Sequence, residues 1–126
     1  MVFLAVFFGG GIGSLSRYLL GKYINNYSNT LFPLGTFLVN IIGCFVIGFL
    51  FTTFEEIIVS REIRLILITG FLGGFTTFSS FGLETINLLK GNEISHAIMN
   101  VFFNIIIGLT FVILGMLLAA LVIKKK

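Results

Sequence analysis

The sequence predicts an all-α integral membrane protein with four transmembrane helices, and three observations predict it. First, the 126 residues are 57% hydrophobic and only 10% charged, with a mean hydropathy of +1.13. A soluble domain carries about 25% charge, and so few charges cannot coat a globule of 13.9 kDa. Second, the apolar residues fall into four long blocks. Each meets or approaches the roughly 20 helical residues that cross a hydrocarbon core about 30 Å thick. Third, the connections between the blocks are short and polar. Composition therefore excludes a soluble enzyme, a nucleic-acid-binding domain and a disordered chain.

The first block carries no charge over residues 1–16, and its pattern runs past Arg17 to about Tyr23, which predicts a span over 2–23. It has no basic leader region and no small-residue cleavage site, so it reads as a helix rather than a signal peptide. Asn25, Asn26, Tyr27, Ser28, Asn29 and Thr30 form a polar turn, and Pro33 marks a helix start. The second span is expected over 31–54, the third over 64–89 and the fourth over 96–123, with a loop over 55–64 and another over 90–95. No linker or repeat divides the chain, so residues 1–126 read as one four-helix transmembrane domain. The single cysteine, Cys44, excludes an internal disulfide and a cysteine metal site, and reads as a packing residue. One histidine, His96, builds no histidine cluster.

Several residues do not belong on a lipid-facing helix. Gly9 and Gly13, and again Gly70 and Gly74, are four apart, a spacing that lets helix backbones touch. Arg17 lies within the first helix and either snorkels to the interface or faces a water-filled vestibule that attracts anions. Thr36 and Asn40 share a face of the second helix, and Asn100 and Asn104 share one of the fourth. An unpartnered Asn in hydrocarbon is costly. Each pair therefore either bonds between helices or lines a polar track that solvates an anion weakly enough for conduction.

The third span is the most informative. Gly73 and Gly74, followed by Thr76 and Thr77, make a poor helix centre near mid-membrane. A local break there frees carbonyls for a hard cation and aims a positive helix end at the membrane centre. Tight glycine packing without a break is the alternative. Phe78 and Phe81 stand at i, i+3 among Thr76, Thr77, Ser79 and Ser80, so that positive ring edges are available to an anion. Glu84 follows on the same face, as a solvated residue at the membrane edge or a guard at the mouth of the pathway.

The charges give no clear orientation. With four spans, Arg61, Arg64, Lys124, Lys125 and Lys126 share one side, and Arg17, Lys22 and Lys90 the other. Without the lysine tail the bias reverses. Either the tail decides the topology as a cytoplasmic membrane-edge anchor, or the chain inserts both ways.

These motifs resemble the Fluc/CrcB family of fluoride channels over essentially the whole chain. The resemblance rests on residues 9–18 (GGGIGSLSRY), on Pro33-Leu34-Gly35-Thr36 with Asn40 and Gly43, and on residues 70–81 (GFLGGFTTFSSF) with Glu84. It implies an antiparallel, dual-topology homodimer in the cell membrane, with two fluoride pores along the subunit interface. It matches Phe78 and Phe81 to the two pore phenylalanines, and Asn40 to the asparagine that bonds to fluoride or orients those rings. It also implies a structural sodium ion on the dimer axis, held by backbone carbonyls at Gly73 and Thr76. The chain departs from the common pattern in two places. Gly82 stands where many members have serine, and Asn100 and Asn104 where many have tyrosine and serine. The polar track is then expected along Thr36, Asn40, Ser79, Ser80, Asn100 and Asn104, with Arg17 and Glu84 towards its ends.

The function this implies is passive, fluoride-selective export from the cytoplasm, which confers fluoride resistance. The alternatives are a small proton-coupled multidrug exporter and a structural subunit of a larger complex. The exporter needs an acid in the first helix, which has none; Glu84 is the one candidate. For an enzyme the sequence offers no Ser-His-Asp set, carboxylate pair, metal cluster or phosphate loop.

Overall fold

In an apolar setting a backbone must bond to itself. In this computed structural model, which describes residues 2–124, all regular structure among the described residues is helical. Four stretches are long and apolar enough to cross a membrane: Val2–Tyr27, Leu34–Glu56, Arg61–Lys90 and Ile94–Ile123. The first is α1 (Val2–Tyr27) and the second α2 (Leu34–Glu56). The third is composite, with α3 (Arg61–Arg64), a π-helical stretch (Leu65–Leu72), α4 (Gly73–Phe75) and α5 (Phe78–Lys90). The fourth is α6 (Ile94–Ile123). Of the lysine tail, Lys124 is exposed, and Lys125 and Lys126 lie outside the described residues, as does Met1.

The helix ends differ from the sequence expectation, each for a local reason. α1 runs a turn past Tyr23, because the Tyr23 and Tyr27 rings pair at 4.9 Å and Asn25 Oδ1 accepts the Gly35 N–H at 3.1 Å. α2 starts at Leu34, with Pro33 as its cap residue. Residues 61–64, expected in a loop, are helical because Ser60 caps them, its side chain accepting the Ile63 N–H at 3.3 Å. Arg64 then closes the connection. Its Nη2 donates to the Phe54 carbonyl in the last turn of α2, and its guanidinium lies 5.5 Å from the Phe54 ring centre. The last connection turns at Asn92, the one described non-glycine residue with positive φ, at 60°.

Two backbone-to-backbone crossings hold the bundle. α1 lies against the π-helical stretch and α4 through glycines. A methyl group on Gly9 would come 3.1 Å from Gly70 Cα, and one on Gly74 3.1 Å from Gly10 Cα. α2 meets α6 in the same way: a methyl on Gly115 would come 2.9 Å from Phe49 N, and one on Gly48 3.2 Å from Met116 N. Lipid tails are as apolar as leucine, so close van der Waals contact of this kind is a main source of association in a bilayer. The buried interior is small, built on Val39, Ile41, Leu72, Phe75, Ala97 and Ala119. Large apolar side chains such as Phe3, Phe7 and Ile12 face outward, as a bilayer permits.

Candidate functional site

Helix geometry in the third span ends at Phe75. Thr76 (φ −81°, ψ 157°) and Thr77 (φ −150°, ψ 116°) are extended, and α5 begins at Phe78. The backbone groups of Thr76 and Thr77 find partners within the span and in the surrounding helices. Thr76 N–H still reaches the Leu72 carbonyl at 2.9 Å, and the Thr76 hydroxyl donates to the same oxygen at 2.9 Å. Thr77 caps α5, its Oγ1 accepting the Ser80 N–H at 3.2 Å. Asn40 of α2 treats Thr77 as a neighbouring strand would. Its Oδ1 accepts the Thr77 N–H at 2.9 Å, and its Nδ2 donates to the Thr77 carbonyl at 3.2 Å. Non-helical backbone at this depth is thereby satisfied by protein.

From Asn40 the polar contacts continue into α6. Asn40 Nδ2 also donates to Asn104 Oδ1 at 3.3 Å. Asn104 Nδ2 donates to the Asn100 side-chain oxygen at 2.9 Å, and Asn100 Nδ2 donates to Thr85 Oγ1 at 2.9 Å. Asn100 is only 1% exposed, so its contacts are with neighbouring side chains and backbone. Thr36 donates to Glu84 Oε1 at 2.7 Å, which ties α2 to α5. Glu84 lines a separate cleft with Pro33, Asn87 and Glu93.

Two clefts flank the interruption, and Thr77 lines both. One, of about 410 Å³, is bordered by Asn40, Gly73, Thr76, Phe78, Phe81 and Asn104. Phe78 is 83% exposed on this face, and its ring centre lies 5.4 Å from that of Phe81. The other, of about 490 Å³, is bordered by Arg17, Lys22, Thr36 and Ser80. Arg17 does not reach for the membrane surface: its Nη1 donates to the Thr76 carbonyl at 3.3 Å. Its charge therefore sits beside the interruption, in a cleft that also contains Lys22. Ser79 is exposed, with its hydroxyl 3.3 Å from Thr77 Oγ1.

The structure thus gathers Asn40, Asn104, Phe78 and Phe81 on one side, and Arg17, Thr36 and Ser80 on the other. Two participants were not singled out as site residues from sequence. Thr77 is the hub of the interruption. Thr85 receives the Asn100 amide, and continuing the α5 face from Phe78 and Phe81 by one further turn reaches it. Gly82, the departure noted above, faces open space: a methyl group there would meet nothing within 4 Å.

The sequence pattern of the CrcB-like protein, Camphor Resistance (CrcB), matches residues 4–116. The chain belongs to the CrcB-like family. This CrcB-family chain is 46% identical over 122 residues to the "Fluoride-specific ion channel FluC" of Hydrogenobaculum sp., covering 96% of this chain and 99% of the relative. It is 45% identical over 120 residues to the protein of the same name from Helicobacter pylori, covering 94% and 92%. It is 40% identical over 127 residues to "Fluoride-specific ion channel FluC 1" of Moorella thermoacetica, covering 100% and 91%. With four apolar spans, the CrcB-family chain is a multi-pass protein of the cell membrane.

Proposed function

We propose that the protein is a fluoride-selective channel that releases fluoride passively from the cytoplasm, and that it works as an antiparallel homodimer with two pores along the subunit interface. Hydrogen fluoride enters by diffusion and dissociates inside, and an inside-negative potential then drives the anion out. The observation that carries this reading is the exposed Phe78, paired with Phe81 beside Asn40 and the Thr76–Thr77 interruption. Lipid alone would suit an exposed ring, but this one borders a cleft beside buried hydrogen bonds, which supports a surface that a second copy completes. The names of the relatives support fluoride as the substrate.

In this reading the parts divide the work by their chemistry. Arg17 and Lys22 raise the anion concentration in one cleft. The hydroxyls of Ser79 and Ser80 supply neutral donors that solvate the ion without trapping it, while Thr36 gives its proton to Glu84. The Phe78 and Phe81 ring edges replace lost water with a weak positive field, and chloride, being larger, gains less from so close a contact. Asn40 and Asn104 hold the wall. Glu84, tied to Thr36, stands at the far end.

Gly73 and Thr76 suit a structural sodium ion. The Thr77 N–H, which would serve the Gly73 carbonyl in a continuous helix, goes to Asn40 Oδ1 instead. Gly73 is exposed on the open cleft, and the Thr76 carbonyl keeps one lone pair beyond its bond to Arg17. Two such oxygens from each of two chains supply four hard ligands, the type that suits a hard cation. The bound cation would join the two chains and take no part in conduction.

The test is anion efflux from liposomes. Wild-type protein is expected to release fluoride and retain chloride, and Phe78→Ala with Phe81→Ala to abolish fluoride release. Equal release of both anions, or full fluoride flux after both substitutions, overturns the reading.

A further inference from the structure

Five hydrogen bonds run in one direction across three spans. The Thr77 N–H donates to Asn40 Oδ1, Asn40 Nδ2 to Asn104 Oδ1, Asn104 Nδ2 to Asn100 Oδ1 and Asn100 Nδ2 to Thr85 Oγ1. The Thr85 hydroxyl closes the chain by donating to the Phe81 carbonyl at 2.8 Å.

The direction is fixed by backbone groups, which have no choice of role. The Thr77 N–H only donates and the Thr77 carbonyl only accepts, so Asn40 must present oxygen to one and nitrogen to the other. Asn104 is held in the same way, because its Nδ2 faces the Asn100 carbonyl at 2.9 Å. The Thr85 hydroxyl spends its proton on the Phe81 carbonyl, so it offers Asn100 only a lone pair. The amides between these anchors have one consistent arrangement. The chain begins at the residue before Phe78 and ends at the carbonyl of Phe81, so it brackets both rings.

We propose that Thr85 is a positioning residue for the anion path, which acts at a distance by anchoring the amide relay that sets the orientation of Asn100, Asn104 and Asn40. The proposal rests on the channel reading above. Thr85 itself lies outside the cleft that holds the two phenylalanines. Without its oxygen, Asn100 Nδ2 has no acceptor in a site that is 1% exposed. An amide half-turn of Asn100 sets its Nδ2 against Asn104 Nδ2, donor against donor, so the misfit passes along the relay towards the Thr77 backbone.

The experiment measures fluoride efflux from liposomes reconstituted with monodisperse protein. Thr85→Val keeps the shape and removes the hydroxyl, and efflux should fall about tenfold. Thr85→Ser restores the hydroxyl and should recover efflux to within about twofold of wild type. Thr110→Val is the control: it deletes an equivalent bond to the carbonyl four residues earlier (2.8 Å), on an exposed face of α6 away from the relay, and should conduct as wild type. Thr85→Val combined with Asn104→Leu should be no slower than the slower single variant, because both cut one relay. Wild-type rates in Thr85→Val, equal losses in Thr85→Ser or Thr110→Val, or losses that multiply in the double variant overturn the proposal. If Thr85→Val does not give monodisperse protein, Thr85→Ala is read by the same criteria. Absence of fluoride efflux from wild-type protein defeats the channel reading itself, a different result from wild-type efflux that Thr85→Val leaves intact.

Discussion

Asn40 shows how one side chain makes a mid-membrane irregularity affordable. Its amide carries both an acceptor and donors, and it spends them on the N–H and the carbonyl of Thr77, a residue only 7% exposed. Leucine at the same position has similar volume and offers neither. Asn40→Leu is therefore expected to leave two buried backbone groups unpaired and to destabilise the folded protein by about 1–3 kcal/mol. A lowered thermal midpoint in detergent checks this, and an unchanged midpoint would show that Thr77 finds other partners. Much of this site was readable one residue at a time. Thr36 and Asn40, and Asn100 and Asn104, stand out because polar side chains in an apolar helix need partners. What sequence does not reveal is which partner each takes. Asn40 and Asn104 lie 64 residues apart, and Arg17 chose a carbonyl at the interruption over the membrane surface. Thr85 escaped notice because a lone threonine near the end of a span needs no special explanation.

At the scale of elements, glycines decide where helices touch. That α1 and the third span each pack closely on something was legible, because Gly9 with Gly13 and Gly70 with Gly74 repeat at the spacing of one helical turn; that they pack on each other was not. The crossing of α2 with α6 was not legible even that far. Gly48 and Gly115 have no partner glycine four residues away, so each looks isolated in sequence, yet each packs on backbone of the other helix. The π-helical stretch Leu65–Leu72 was equally hidden, since a run of almost uniformly apolar residues carries no period to read. These contacts make a signed prediction. Gly74→Ala places a methyl group against the Gly10 carbonyl and 3.1 Å from Ser14 N, and should destabilise by about 1–3 kcal/mol through overpacking. Gly11→Ala meets nothing within 4 Å and should stabilise by up to about 1 kcal/mol through helix propensity. Opposite shifts in thermal midpoint are the expected result, and shifts of the same sign would refute the crossing as described.

For the whole molecule, composition and block length were enough to give four spans, because the bilayer thickness sets a simple length requirement. Orientation was not readable from the charge count, and the structure shows one reason. Arg17 was counted with a loop, yet it bonds at the interruption. The proposed sodium site belongs to this scale, because its ligands are complete only between two chains. Exchange of sodium for a large organic cation should lower the thermal midpoint of the purified protein and shift it towards monomer on size exclusion. An unchanged midpoint and elution volume after long exchange would remove sodium from the account.

The exposure of Phe78 on a lone chain has a consequence for how the cell makes the protein safely. A newly inserted copy displays only half of the proposed pathway, with one wall of it facing lipid. If the pores form only between copies, such a chain has no conduit and would not dissipate ion gradients while it waits. On the proposed dimer, conduction would switch on only as copies meet, and at low density in the bilayer it should rise with the square of protein concentration rather than in proportion to it.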